Sequence, residues 1–451
     1  MKAKEVTLEI VDIDYPSNGV AYYNERKLKV KNTLPGQHID AVIARRKVIS
    51  LGVAKRSDKE ITPVCPVFDT CGGCTYQNLS YSDELELKSY MVRKLFERAH
   101  IKDFQYLGIQ GTGDTGYRNK MEYAFGDKYK DGPLSLGLRS PGAMYQTVNN
   151  PDCTIVDSDF SKLLFYTQDF FKNTDETFYN RKHHTGTLRY FVVRKGINTG
   201  ELLVSLVTTS GLQTDLASWL AGLLSLELDA RIVGVQHIQS DNPGDAINPE
   251  DVAIIYGQGH YREHILGLDF KVYPMAFFQT NTLGSEILYT HVLDFLKQCY
   301  QTDVVYDLYC GTGTIGQIVS KVAGQVYGID LNQESIQSAR ENVVINGISN
   351  CEFFAGDVKD AIGTLGAKPD VVILDPPREG LHPKALAGVM ALEPPEIIYV
   401  SCKPTSFVHD IQQFQAAGYV FEKLQLVDMF PRTAHVESIG FLRKASTPPK
   451  E

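Results

Sequence analysis

The chain has 451 residues, more than one ordinary hydrophobic core organises, so two or three domains are expected. Hydrophobic residues make up 43% and charged residues 22%, as in a globular enzyme, and no apolar run of about 18 residues predicts a membrane span. The first residues lack the apolar block of a signal peptide. A cytoplasmic protein is therefore expected, whose cysteines serve metal binding or catalysis rather than disulfides.

The net charge of −9 argues against nucleic-acid binding, but the charge is unevenly distributed. Residues 1–60 hold 12 Lys and Arg against 8 Asp and Glu, a net of +4, which leaves −13 for the rest of the chain. Arg45, Arg46 and Lys47 form the densest basic run. A basic N-terminal module on an acidic body is the pattern expected if that module binds phosphates; a solvated surface turn is the alternative.

Short strands separated by turn residues are predicted from the N-terminus to about residue 56. Such strands in fewer than 60 residues favour a small barrel of the OB type. The strand predictions are Val6–Val11, Val20–Tyr23, Leu28–Val30 and Ile39–Ile43. A helix is predicted further on, from about Ser82 to Ala99, with Ser82 as its N-cap.

Three cysteines lie close together between the predicted barrel and this helix. Cys65, Cys71 and Cys74 are spaced as in a metal-binding segment, and Cys153 is the candidate for a fourth ligand. Four thiolates suit either a tetrahedral zinc ion or an iron–sulfur cluster, and the spacing leaves both open.

Residues 117–270 mix strands and helices without a clear period, which predicts an α+β middle domain that receives the substrate. From Val304 onward the pattern becomes strand, glycine turn, helix and strand again. Regular βαβ spacing predicts a doubly wound parallel sheet, so the fold class is α/β. The predicted strands are Val304–Leu308, Gln325–Ile329, Cys351–Phe354, Val371–Leu374 and Ile397–Val400, followed by a pair at 423–428 and 436–442.

A glycine motif follows the first of these strands. Gly311, Gly313 and Gly316 satisfy G-x-G-x-x-G between a strand and a helix, where the backbone turns tightly and a ligand can approach it. Asp330 ends the next strand, where a carboxylate can accept both ribose hydroxyls. Asp357 follows the third strand and suits either the adenine amine of a methyl donor or the cap of the next helix. These residues alone leave NAD and S-adenosylmethionine equally open.

Two later motifs favour the methyl donor. Asp375, in Asp-Pro-Pro-Arg, and Cys402, in Ser-Cys-Lys-Pro, follow the fourth and fifth strands, so both are expected above the same crevice as Gly311. Hydride transfer has no use for a thiol there, whereas methylation of C5 of uracil requires one, because addition at C6 makes C5 nucleophilic. Glu437 can supply the base that removes the C5 proton. Taken singly, a buried apolar cysteine and a surface carboxylate are the alternatives for Cys402 and Glu437.

With these motifs in place, the sequence resembles the RNA uracil-C5 methyltransferase family over nearly its whole length, most closely the branch that acts on 23S ribosomal RNA. The fit is close around Cys71–Gln77 and Tyr117–Lys120, and weaker in an N-terminal region similar to a TRAM domain. The resemblance implies a 4Fe-4S cluster on Cys65, Cys71, Cys74 and Cys153. It implies that Cys402 is the nucleophile and Glu437 the base. For S-adenosylmethionine it implies the binding residues Gln279, Tyr309, Asp330 and Asp375.

Three positions depart from the family pattern. The ribose-binding acid is usually Glu where this chain has Asp330, the residue after the nucleophile is usually Asn where it has Lys403, and Thr314 often is Asn. None of these changes removes a chemical role.

The sequence therefore predicts an RNA-binding barrel at 1–60, an iron–sulfur and RNA-binding middle domain at 61–270 and a class I methyltransferase domain at 271–451. The expected reaction is methylation of uridine C5 in 23S ribosomal RNA, with the T-loop uridine of tRNA as the alternative. A monomer without membrane association is expected.

Overall fold

The computed structural model describes residues 4–44 and 47–447. Arg45 and Arg46 of the basic run lie outside the described residues, and Lys47 begins a strand. The helices are α1 (Tyr81–Arg98), α2 (Ser158–Lys172), α3 (Leu216–Leu224), α4 (Thr282–Leu296), α5 (Thr314–Val319), α6 (Gln333–Ile345), α7 (Val358–Ala361), α8 (Pro383–Leu392) and α9 (Pro404–Ala416). In this part of the chain no helix is long and apolar enough to cross a membrane.

Strands occur throughout the chain. Those before residue 150 are β1 (Lys4–Glu9), β2 (Asp12–Asp14), β3 (Asn18–Tyr23), β4 (Arg26–Lys31), β5 (His38–Ala44), β6 (Lys47–Lys55), β7 (Gln105–Gln110), β8 (Lys120–Asp127), β9 (Leu134–Arg139) and β10 (Thr147–Val148). Those up to residue 272 are β11 (Leu188–Gly196), β12 (Glu201–Thr208), β13 (Arg231–Gln239), β14 (Asp251–Gly257), β15 (Tyr261–Ile265) and β16 (Leu268–Val272). The remaining ones are β17 (Val304–Leu308), β18 (Gln325–Asp330), β19 (Cys351–Ala355), β20 (Val371–Leu374), β21 (Glu396–Ser401), β22 (Tyr419–Val427) and β23 (Glu437–Lys444).

The N-terminal region is built of strands, as predicted. Two three-stranded antiparallel sheets, ordered β1-β5-β6 and β2-β3-β4, pack around one small core. The alternation in β4, where Leu28 and Val30 are buried between exposed lysines, places one face of the strand in that core. Asp14 at the end of β2 accepts a hydrogen bond from Arg98 of α1 at 2.8 Å, which holds the region against that helix.

The middle region contains a seven-stranded sheet ordered β10-β9-β8-β11-β12-β13-β14. Its strands pair antiparallel except for β12 and β13, which are parallel. Helices α2 and α3 cover one face with a core that includes Phe171, Phe191 and Trp219. The other face carries Lys120, Glu122 and Arg194 and lies towards the cavity described below.

The C-terminal region confirms the predicted α/β sheet. Its eight strands are ordered β19-β18-β17-β20-β21-β23-β22-β7. The first five are parallel, and β23, the second strand of the predicted terminal pair, runs antiparallel to β21 and β22. All five strands predicted between residues 304 and 400 are present at nearly the predicted bounds.

One segment from the N-terminal half joins this sheet, a feature that the sequence did not indicate. Strand β7 extends the edge parallel to β22, and α1 packs into the same core, where Phe96 stacks on Phe421 at 5.4 Å between ring centroids. The helix begins at Tyr81, and its N-cap is Ser80 rather than Ser82, because the Ser80 hydroxyl accepts the amide of Asp83. The domain boundaries at 60 and 270 stay a prediction.

Candidate active site

The carboxyl ends of β17, β18, β20 and β21 open into a cavity of about 1190 Å³. Middle-region residues close its opposite side, where Gly72 and Gly73 of the cysteine segment stand beside Arg118, Met121 and Glu122. Among the candidate site residues, those that line the cavity are Gln279, Tyr309, Gly311, Asp330, Asp357, Asp375, Cys402 and Glu437. The expectation that these side chains share one crevice therefore agrees with the structure.

The glycine loop begins where β17 ends. Tyr309, Gly311 and Gly313 all have positive φ angles, of 65°, 53° and 70°, and glycine adopts such angles without strain. A Cβ on Gly313 would lie 2.5 Å from the Phe353 ring, so only glycine fits there. Gly313 is not among the cavity-lining residues, unlike Gly311, and it begins α5 instead. Its role is to shape the loop.

Two carboxylates flank this loop. Asp330 accepts the amides of Gly311 at 3.0 Å and of Asn332 at 2.8 Å, which fixes the carboxylate at the cavity surface. Asp357 caps α7 by accepting the amide of Lys359 at 3.2 Å, and it also lines the cavity. The capping alternative for Asp357 is thus present, and its second carboxylate oxygen pairs with the Lys359 amine at the cavity.

A second group of acids lies deeper. Asp375 follows β20, and burial raises its pKa to about 7, with a further contribution from Asp330. Glu437 begins β23 and is only 3% exposed. Burial raises its pKa well above the usual range, and Asp375 adds to the rise. Within the described residues Glu437 Oε2 has no hydrogen-bond partner. We call Asp330, Asp375 and Glu437 the acidic end.

Cys402 lies beside this acidic end, directly after β21. Burial raises the pKa of its thiol to about 12, and the nearby Glu437 and Asp375 raise it further, whereas Arg378 lowers it. The free thiol is therefore protonated at neutral pH. Positive charge near the sulfur is what the site needs to form a thiolate.

Arg378 supplies one such charge. It lines the cavity, and its Nη2 donates to Nδ1 of His435 at 2.9 Å. Burial and the neighbouring Arg378 lower the pKa of His435 to about 4, so the ring is a neutral acceptor. His435 thus orients the guanidinium without adding a second charge.

A buried ion cluster supports the loop that carries His435 and Glu437. Lys88 of α1 contacts Glu84 and Asp428, each at 2.7 Å, and all three side chains are inaccessible to solvent. Glu84 also accepts the amide of Arg432 at 2.7 Å. Because α1 holds both ends of residues 428–432, this cluster fixes where the loop that leads to Glu437 meets the cavity.

The predicted metal ligands share a separate, smaller cavity. Cys65, Cys71, Cys74 and Cys153 all line it, and it shares Gly73, Leu138 and Ile155 with the large cavity. Nitrogen donors reach three of the sulfurs: Asn150 to Cys65 at 3.3 Å, Gly73 to Cys71 at 3.4 Å and Gln77 to Cys74 at 3.6 Å. Across residues 4–44 and 47–447, no group of three His, Cys, Asp or Glu side chains is placed to hold a metal ion.

One rim residue was missed at the sequence level. Phe277 is 66% exposed, although it stands in the apolar run 275–278 that reads as core. It lines the cavity two residues before Gln279. An exposed aromatic ring at a cavity mouth is suited to stacking on a base. The only sequence signal was its place two residues before Gln279, which the family resemblance assigns to the methyl donor.

Comparisons with known proteins agree with this geometry. A family model described as a methyltransferase domain matches residues 301–424. A protein of Clostridium tetani named as an uncharacterized RNA methyltransferase is 42% identical over 454 residues, covering 99% of each chain. A similarly named protein of Clostridium acetobutylicum is 43% identical over 444 residues, covering 96% of each. The solved tRNA (uracil-54, C5)-methyltransferase of Pyrococcus abyssi, in complex with S-adenosyl-L-homocysteine, matches with a TM-score of 0.76 at 25% identity, covering 96% of this chain and all of that one.

Proposed function

This chain belongs to the RNA methyltransferase family, and from that premise we propose that it methylates C5 of uridine in RNA, with S-adenosylmethionine as the donor. One observation carries the proposal: a thiol, a carboxylate and a cation line the same cavity as the glycine loop. These groups belong to Cys402, Glu437 and Arg378. Methylation of an unreactive pyrimidine carbon requires a nucleophile and a base beside the donor.

Cys402 begins the reaction. Its thiol releases its proton to solvent, with Arg378 stabilising the thiolate. The thiolate adds to C6 of the uracil, the C5–C6 π electrons move towards C5 and O4, and C5 then takes the methyl group while the donor's sulfur keeps the electron pair. Glu437 removes the C5 proton, the C5–C6 double bond re-forms, and the sulfur–C6 bond breaks to release the thiolate. The donor supplies an activated methyl group on a cationic sulfur, and that positive charge favours the ionised forms of Glu437 and Asp375.

The target uridine must leave its stack to reach Cys402, at a cost of a few kcal/mol. Phe277 is placed to offset part of that cost by stacking at the rim. We propose 23S ribosomal RNA as the substrate, with the N-terminal strands acting as a TRAM-like RNA-binding module. The T-loop uridine of tRNA is the second candidate, and the similarity to the tRNA (uracil-54, C5)-methyltransferase favours it.

RNA that contains 5-fluorouridine tests this function, because fluorine at C5 cannot leave as a proton. The wild-type protein with S-adenosylmethionine should form a complex with this RNA that survives denaturing electrophoresis. Cys402→Ala should form none, and Cys299→Ala, which changes a buried cysteine outside the cavity, should behave like wild type. A covalent complex formed by Cys402→Ala would disprove the assignment. Mapping of 5-methyluridine in ribosomal and transfer RNA, with and without the protein, decides between the substrates.

We also propose that Cys65, Cys71, Cys74 and Cys153 hold a 4Fe-4S cluster. The four thiols line one cavity, and nitrogen donors at three sulfurs would stabilise thiolate ligands. Such a cluster would tie residue 153 to residues 65–74 and so support the wall of the large cavity. Protein purified without oxygen should be brown and contain about four iron atoms per chain. A colourless protein with one zinc ion would overturn the proposal.

A further inference from the structure

The cavity wall opposite the acidic end carries positive charge. Arg118 lies just before β8 and lines the cavity, and its Nε donates to the carbonyl oxygen of Lys120 at 3.0 Å. Lys120 and Arg194 are directly opposite each other in the antiparallel pair of β8 and β11, so both side chains lie on the same face. We call Arg118, Lys120 and Arg194 the basic wall. Of the three, Arg118 lines the cavity, and Lys120 and Arg194 lie beside Glu122, which also lines it.

These cations have little negative charge around them. The carboxylate nearest to Lys120 is that of Glu122, with Nζ and Oε2 3.7 Å apart. Arg194 is 3% exposed, and its Nη2 donates to the carbonyl oxygen of Ala276 at 3.1 Å. Its buried Nε has no partner in the described part of the chain. Like charges directly opposite on two strands repel each other, so this arrangement favours an added anion.

Lys120 itself shows this imbalance. Its side chain is 29% exposed, so a ligand can reach the amine. Burial lowers the pKa of Lys120 to about 8, and the neighbouring Arg194 and Arg118 lower it while Glu122 opposes them. An anion bound at the amine would restore its charge.

We infer that Lys120, flanked by Arg118 and Arg194, binds a backbone phosphate of the substrate RNA at the cavity wall. The inference rests on the proposed function, because a uridine inserted towards Cys402 brings its own phosphates to the cavity mouth. A phosphodiester supplies the negative charge that the three cations lack. The donor's cationic sulfur, in contrast, suits the acidic end.

Lys120→Met tests the inference, since it removes the charge and keeps most of the side-chain volume. Binding of a uridine-containing RNA stem-loop, measured by fluorescence anisotropy against salt, should weaken several-fold, and the log–log salt slope should fall by about 0.7–0.9 for one lost phosphate contact. Lys120→Arg should retain most of the affinity. Lys162→Met is the matched control, because Lys162 lies on α2, which packs on the other face of the sheet.

An unchanged affinity and salt slope in Lys120→Met would overturn the inference. Weakened binding of S-adenosylmethionine with RNA binding intact would also overturn it, and would assign the anion as the donor's carboxylate. Amine-reactive labelling gives a second measurement: near pH 8, Lys120 should react faster than surface lysines in the free protein, and the stem-loop should protect it. Trapping of 5-fluorouridine RNA by the wild-type protein tests the proposed function separately, so failure of one does not imply failure of the other.

Discussion

The acidic end and the basic wall of the cavity form a contrasting pair. At the acidic end, the pKa of Asp375 rises to about 7 and that of Glu437 rises well above its usual range. At the basic wall, the pKa of Lys120 falls to about 8. Each shift moves a group towards neutrality, chiefly because burial penalises the charged form, and neighbouring like charges add to it.

This contrast indicates which ligand belongs at which end. A cationic methyl donor restores the charge of the acidic end, and an RNA phosphate restores that of the basic wall. The buried cluster of Lys88, Glu84 and Asp428 differs from the basic wall, because its cation contacts two carboxylates at 2.7 Å. Burial raises the pKa of Glu84 to about 7 as well, so the missing close partner at Lys120, rather than a shifted pKa alone, sets the basic wall apart.

The largest effect is expected from Glu437→Gln, which removes the base and keeps its shape. Turnover should fall by about 10²–10⁴-fold, the usual contribution of a positioned base. Addition and methyl transfer should still occur, so covalent protein–RNA complexes should accumulate on ordinary uridine. Electrophoresis of the complexes and measurement of released 5-methyluridine check this together. Turnover at the wild-type rate would remove Glu437 from the mechanism.

The next-largest effect is expected on stability, where a lysine in a buried ion cluster is compared with a lysine that has no close partner. Lys88→Met leaves Glu84 and Asp428 buried without their cation, and should reduce the free energy of unfolding by about 3–5 kcal/mol. Lys120→Met should change it by less than about 1 kcal/mol, because Lys120 has only a distant, exposed partner. Urea denaturation measures both. Equal losses would show that the basic wall is structural.

Donor binding should depend on pH through Asp375. Its raised pKa of about 7 means that the carboxyl is protonated and neutral below that pH, so affinity for the cationic donor should rise by about tenfold from pH 6 to pH 8. S-adenosylhomocysteine, which lacks the positive sulfur, should show a flatter dependence, as should Asp375→Asn with the donor. Calorimetric titrations compare the three. A steep rise with S-adenosylhomocysteine would point to a different titrating group.

The smallest effect is expected at the basic wall itself. Glu122→Gln removes the carboxylate closest to Lys120, so the positive field increases and RNA affinity should rise about two- to fivefold, as for one exposed ion pair. Lys120 should also label at a lower pH. Anisotropy at fixed salt measures the first effect. Weaker RNA binding in Glu122→Gln would mean that the carboxylate contacts RNA directly.

The sequence predicted the cavity floor well. Gly311, Asp330, Asp375 and Cys402 each lie at or just after the end of a strand of a parallel sheet, and the carboxyl ends of such strands meet at one edge. Local pattern was therefore enough to place residues from distant motifs together. The terminal strand pair, which carries Glu437, was predicted from its own apolar pattern.

Other features depended on contacts that no local pattern records. Strand β7 joins the far edge of the sheet, and Lys88 meets Asp428 across 340 residues of sequence. Phe277 stands among apolar residues, yet it is exposed because its segment bends along the cavity rim. These positions are decided by how segments that are distant in sequence pack against each other.

By itself, the sequence determined which chemical groups are available to the candidate site. They are the glycine turn, the acids at strand ends, the thiol and the four clustered cysteines, all short motifs whose residue types limit their roles. Only the tertiary structure decided the electrostatics. Burial and neighbouring charges shift the pKa values of Cys402, Glu437 and Lys120, and both depend on segments that are far apart in the sequence and lie together only in the folded chain.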